Sequence, residues 1–144
     1  MANEGSAHMN ERILILILRI TGGVSLLATI FVFVPYSWMN TIHQMLGMGE
    51  LPSNPIVGYL ARSTSALYVF LGGLLLVLAF DVRRYKIVLT YLGIAFSLFG
   101  LVLVFVDWIE GLPLFWKIWE GPFVFVLGIA IFYLNHRINT DAVG

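Results

Sequence analysis

The sequence predicts an all-α integral membrane protein, a four-helix bundle with a short interfacial helix between its first and second spans. Three observations carry that expectation. Of 144 residues, 60% are hydrophobic and 11% charged, and the mean hydropathy is +0.93. Soluble domains run at about 45–50% apolar and about 25% charged, so this chain has too few charges to cover a water-facing surface. Four apolar runs are each long enough to cross a bilayer core of about 30 Å, which takes about 20 helical residues. Finally, the basic residues near the ends of these runs all fall on one side of the resulting layout.

Residues 1–10 are small and polar and read as a tail outside the 11–138 membrane domain, disordered or added for expression. The first span, 13–34, is too long for a signal-peptide core, and no small-x-small site follows it before Pro35-Tyr36-Ser37-Trp38, so it reads as a retained helix. In the connection after it, Trp38, Ile42, Met45 and Leu46 recur at helical spacing, while Asn40, Thr41, His43 and Gln44 take the other face. Gly47 and Gly49 can stop that short helix, and Pro52 and Pro55 keep it from merging with the next. Its amphipathic pattern suits a helix lying flat in the interface, or one that lids a cavity between spans. The second span is 56–80 and the third 87–106. The fourth, 113–134, carries Lys117, Glu120 and Pro122 inside it; its purely apolar part, 123–134, is too short to cross alone. Residues 139–144 form a second tail.

Arg12 precedes the first span, Arg83, Arg84 and Lys86 lie between the second and third, and Arg137 follows the fourth. The opposite connections, 35–55 and 107–112, hold Glu50, Asp107 and Glu110 and no Lys or Arg. The positive-inside rule then places both termini and the 81–86 loop in the cytoplasm, as in a multi-pass protein of a bacterial cytoplasmic membrane. Trp38, Trp108, Trp116 and Trp119 all fall at the outer boundary, and Tyr85, Tyr91 and Tyr133 at the inner one. Amphipathic rings favour that depth. Small residues mark where backbones can approach: Gly22, Ser25 and Thr29; Ala61, Ser65 and Gly72-Gly73; Gly93, Ser97 and Gly100.

Ionisable groups inside a bilayer are costly, at about 2.5–3.5 kcal/mol or more, and mark either a site or a structural pair. Arg19 sits near the inner end of its span and can snorkel to headgroups or meet Asp81. Arg62 and Glu120 each lie about 10 Å below the outer ends of their helices, at 1.5 Å per residue, which predicts that they pair. Lys117 is one turn above Glu120 and can meet it or reach Asp107 and Glu110. One outward-facing polar pocket is the result, built from Arg62, Asp107, Lys117 and Glu120 with His43 above it. It is either an ion-pair network that holds the helices or a ligand site. Pro122 withdraws the helical bond to the carbonyl of Ile118, beside Glu120.

Other chemistry is not encoded. His8, His43 and His136 fall in the tail, outside and inside respectively, so no two share a metal or a haem iron. There is no cysteine, Walker loop, dinucleotide fingerprint or catalytic triad. Zero net charge argues against nucleic acid. No cofactor is indicated by the residues.

The layout of residues 11–138, with four spans, short loops and glycine-studded helices, resembles DoxX-like bacterial membrane proteins. The stretch from His43 through Pro52-Ser53-Asn54-Pro55 to Ala61-Arg62-Ser63 is similar to short bacterial proteins of no assigned activity. The resemblance implies either an accessory role or quinone-linked redox work. The reading favoured by the sequence is a non-catalytic accessory or assembly subunit. Its alternative is a binder or carrier of a small or lipid-like ligand through the polar pocket, and a quinone-linked redox protein ranks third. The partners expected are the bilayer, a membrane protein or a second copy of the chain, and a lipid or quinone. A reporter fused after Gly144 or within the 83–86 loop is expected to be cytoplasmic, and one inserted at Glu50 external; an external signal from the 83–86 loop overturns the charge argument.

Overall fold

The computed structural model describes residues 2–140, and the side chains of residues 5–138. It is all-helical among these residues, in the order α1 (Ala2–Leu26), α2 (Thr29–Phe33), α3 (Tyr36–Met45), α4 (Pro55–Leu78), α5 (Lys86–Ile109) and α6 (Leu114–Thr140). Four helical stretches are long and apolar enough to cross a membrane: Gly5–Phe33, Pro55–Leu78, Lys86–Ile109 and Leu114–Ile138. The four predicted spans are therefore present. The fourth runs further than 134, and residues 2–10, expected as a tail, continue α1 instead. Of the predicted C-terminal tail, 141–144 lie outside the described residues.

The chain divides into two compact units. One comprises Met1–Leu18 with Leu78–Gly144. Its centre is the hairpin of α5 and α6, closed by a tight turn in which Gly111 adopts φ +66°, a left-handed conformation that a Cβ disfavours. The two helices touch backbone to backbone. A Cβ on Gly93 would stand 2.8 Å from the Phe132 nitrogen. One on Gly128 would crowd the Ser97 nitrogen, and one on Gly100 the Phe125 nitrogen, more closely still. Gly121 continues the seam, facing the Val104 nitrogen at 2.8 Å. Apolar side chains gain little by leaving lipid for one another, so helices associate where small residues permit this approach. The predicted stripe of Gly93, Ser97 and Gly100 is therefore used inside the chain.

Around the hairpin, Leu14, Leu18, Leu89 and Ile131 are fully buried. Asn135 is buried as well, and its amide donates to the Lys86 carbonyl (3.0 Å) and to the Thr90 hydroxyl (2.9 Å). That satisfies a polar group where water is scarce. Arg83 joins the 79–85 turn to α1 through Glu11, with Nη2 at 2.8 Å and Nε at 3.1 Å from Oε2. The carboxylate raises Arg83 above the ordinary guanidinium range.

The second unit is Arg19–Val77. Here α1 stops at Leu26, and the chain turns through Leu27 and Ala28 before α2. The turn replaces i→i−4 bonds with shorter-range ones, Leu27 N–H to Val24 O (3.0 Å) and Ala28 N–H to Ser25 O (3.1 Å). The Thr29 hydroxyl donates to the Leu26 carbonyl at 2.7 Å. Helices α1 and α4 meet at Gly22 and Gly72, where a Cβ on either would lie within 2.8 Å of the other's carbonyl oxygen. The adjacent Gly73 faces open space.

These contacts separate two kinds of glycine. In a detergent melting assay Gly100→Ala and Gly128→Ala are expected to lower stability by about 1–3 kcal/mol, the range for overpacking. Gly73→Ala is expected to be neutral or stabilising by up to about 1 kcal/mol, from helix propensity. Equal effects at all three positions would mean that the close approaches are not what holds the helices.

Candidate functional site

The site grows out of how α3 ends. After Met45 the helix closes on Gly47, which takes φ +74°, with Gly47 N–H to Gln44 O (2.9 Å) and Met48 N–H to His43 O (3.2 Å). This paired 5→2 and 6→1 pattern caps the carbonyls of the last turn, and its left-handed residue favours glycine. The chain then folds back along α3. Three side chains of that helix, spaced at four and three residues, hold the returning loop by its backbone. Tyr36 donates its hydroxyl to Leu51 O (2.5 Å), Asn40 Oδ1 accepts from Leu51 N–H (2.7 Å), and His43 Nδ1 bonds Gly49 O (2.9 Å). Asn40 and His43 are on the polar face that the sequence predicts. What composition does not suggest is that this face meets backbone.

The loop so held, α3, Phe31 of α2 and the first turns of α4 line an open-sided cavity of about 190 Å³. Its apolar wall is Phe31, Met39, Ile42, Leu46, Met48, Leu51 and Ala61; its polar side chains are His43 and Ser65. Helix α3 thus supplies one wall of this recess. It is not the polar pocket expected of Arg62, Asp107, Lys117 and Glu120: of the residues named for that pocket, His43 alone lines this recess.

Arg62 lies one residue from Ala61 on α4 and is half-buried. Its guanidinium donates to two backbone oxygens, Val32 O at 2.5 Å and Val34 O at 3.0 Å. The sequence explains why those oxygens are free. Helix α2 ends at Phe33, Val34 is extended (ψ 142°), and Pro35 has no N–H to donate. A planar fork that presents several N–H groups suits two neighbouring acceptors.

Asp107, Lys117 and Glu120 all belong to the other unit, at the turn end of the α5–α6 hairpin. Lys117 places its ammonium 4.5 Å from the centroid of the Trp108 ring, a cation–π contact. Glu120 accepts a hydrogen bond from the Trp116 indole, one turn earlier on α6. Asp107 is 2% exposed, and its Oδ2 accepts no hydrogen bond from the described residues. Arg62 and Glu120, expected as a pair from their equal depth, belong to different units, and each has hydrogen-bond partners within its own. Arg19 is exposed, and Asp81 accepts from the Arg84 N–H. Among the described residues no cluster of three or more His, Asp or Glu side chains could hold a metal ion.

Two residues of consequence carry no clear sign in the sequence. Asn135 is one, a lone amide in an apolar run without a periodic signal. Tyr36 is the other; its position i−4 from Asn40 and i−7 from His43 is the one available clue. Arg62→Met is expected to lower stability by about 1–3 kcal/mol, because it leaves the Val32 and Val34 carbonyls unpaired. Arg62→Lys is expected to recover only part of the loss, since an ammonium lacks the fork. Unchanged melting for Arg62→Met would show that water or lipid headgroups serve those oxygens equally well. Comparison with protein-family models, with curated proteins and with solved structures returned no match.

Proposed function

We propose that the protein is a multi-pass protein of a bacterial cytoplasmic membrane, with both termini cytoplasmic, that binds a small apolar or lipid-like ligand in the cavity beneath α3. The observation that carries this reading is the cavity itself: about 190 Å³, walled by apolar side chains and roofed by a loop held through three side-chain bonds. An apolar cavity of about 150 Å³ accommodates benzene, so the space suits one ring or the end of one chain. The orientation rests on the distribution of Lys and Arg, and puts α3 on the outer surface. The DoxX-like resemblance belongs to the same proposal and is supported by the four-span layout alone.

An accessory or assembly role is the second reading. It is supported by the far edge of α3, where Trp38, Ile42 and Met45 are exposed together. Purification in mild detergent and then mass spectrometry separates the two, because a bound small molecule supports the first and a reproducible partner protein the second. For the cavity reading, Ala61→Leu is expected to displace the co-purified molecule at least tenfold while the melting temperature is kept. A molecule retained by Ala61→Leu, or none found with the unaltered chain, would overturn it.

A further inference from the structure

The polar atoms of the cavity have a common character that selects among ligands, a selection that rests on the cavity being a binding site. His43 Nδ1 lies 2.9 Å from Gly49 O. A carbonyl oxygen only accepts, so the ring nitrogen facing it must carry the proton. In the neutral imidazole this leaves Nε2 as a bare acceptor. Ser65, the other polar side chain in the wall, donates its hydroxyl hydrogen to Ala61 O at 2.8 Å, so its oxygen too is left with lone pairs alone. Met39 and Met48 contribute thioether sulfurs, which are weak acceptors. Every polar side chain in the wall thus accepts, and none has a hydrogen to give.

We infer that the cavity takes a hydrophobe bearing a hydrogen-bond donor, a hydroxyl on a ring or short chain, and disfavours the same skeleton when its oxygen can only accept. A phenolic or alcoholic O–H can meet His43 Nε2. A ketone, quinone or ether oxygen of the same shape would meet only acceptors among these side chains, and an unmade hydrogen bond costs more than a made one gains.

The test uses para-ethylphenol and its methyl ether, para-ethylanisole, titrated into the full chain in lipid nanodiscs. The buffer is held near pH 8.5, above the ordinary imidazole range of about 6.5. Isotope-labelled methionine methyls at Met39 and Met48 report occupancy of the cavity, and labelled histidine reports Nε2, with His43→Phe used to assign the signal. Both probes are expected to shift the methyls, the phenol binding about two- to tenfold more tightly, the ratio that one net hydrogen bond supplies. Only the phenol is expected to move His43 Nε2. In His43→Phe with Ser65→Ala the ratio should fall to one. Equal binding of the two probes by the unaltered chain, or methyl shifts with Nε2 unmoved, overturns this inference and leaves the cavity reading in place. Failure of both probes to shift the methyls overturns both.

Discussion

Backbone polar groups without partners are expensive wherever water is scarce, at several kcal/mol each in hydrocarbon. A chain that breaks its helices in or near a membrane must therefore supply a partner for each freed carbonyl and N–H. In the Arg19–Val77 unit the supply can be traced group by group. The break after α1 is closed by short-range turn bonds and the Thr29 hydroxyl, the end of α2 by Arg62, and the end of α3 by Gly47 and Met48. The returning loop is met by Tyr36, Asn40 and His43. The cavity is a product of these solutions. Because the first span is interrupted at Leu27-Ala28 and the chain breaks again at Pro35, just past its end, α3 stands beside α4 as a separate wall with its own loop.

The other unit satisfies the same constraint by avoiding breaks. Helices α5 and α6 run uninterrupted for 24 and 27 residues, the latter with Pro122 inside it. Their association rests on Gly93, Gly100, Gly121 and Gly128, which bring one backbone onto the other. Gly121 is instructive. It stands beside Pro122 in the sequence, and its missing side chain is needed where Val104 and the Gly100 carbonyl approach.

What can be read from residues alone is whatever periodicity and length control. The four spans, the short helix after Pro35, its glycine stop and the small-residue stripe of the third span all appear in the structure with boundaries shifted by a few residues at most, the start of α1 and the end of α6 excepted. The candidate site is legible only in part. The equal depth of Arg62 and Glu120 suggests a pair, because formal charges are visible in a sequence; the free carbonyls of Val32 and Val34 that Arg62 meets are not. The acceptors are nevertheless implied by Pro35, which ends α2 at Arg62's reach. His43 can be singled out, but the apolar character of the space it faces depends on which side of α3 meets α4. A pattern of residues along one helix does not contain that.

The three bonds that hold the 47–51 loop all end on main-chain atoms, the carbonyl of Gly49 and both polar groups of Leu51. The side chains of Met48 and Leu51 meanwhile form part of the cavity wall. Anchorage and lining are thus assigned to different atoms of the same five residues. The shape of the recess can be rewritten at positions 48 and 51 without touching the fastening, as loops on a rigid scaffold generally allow. Such an arrangement separates the residues that set the shape of the recess from the atoms that fix the loop in place.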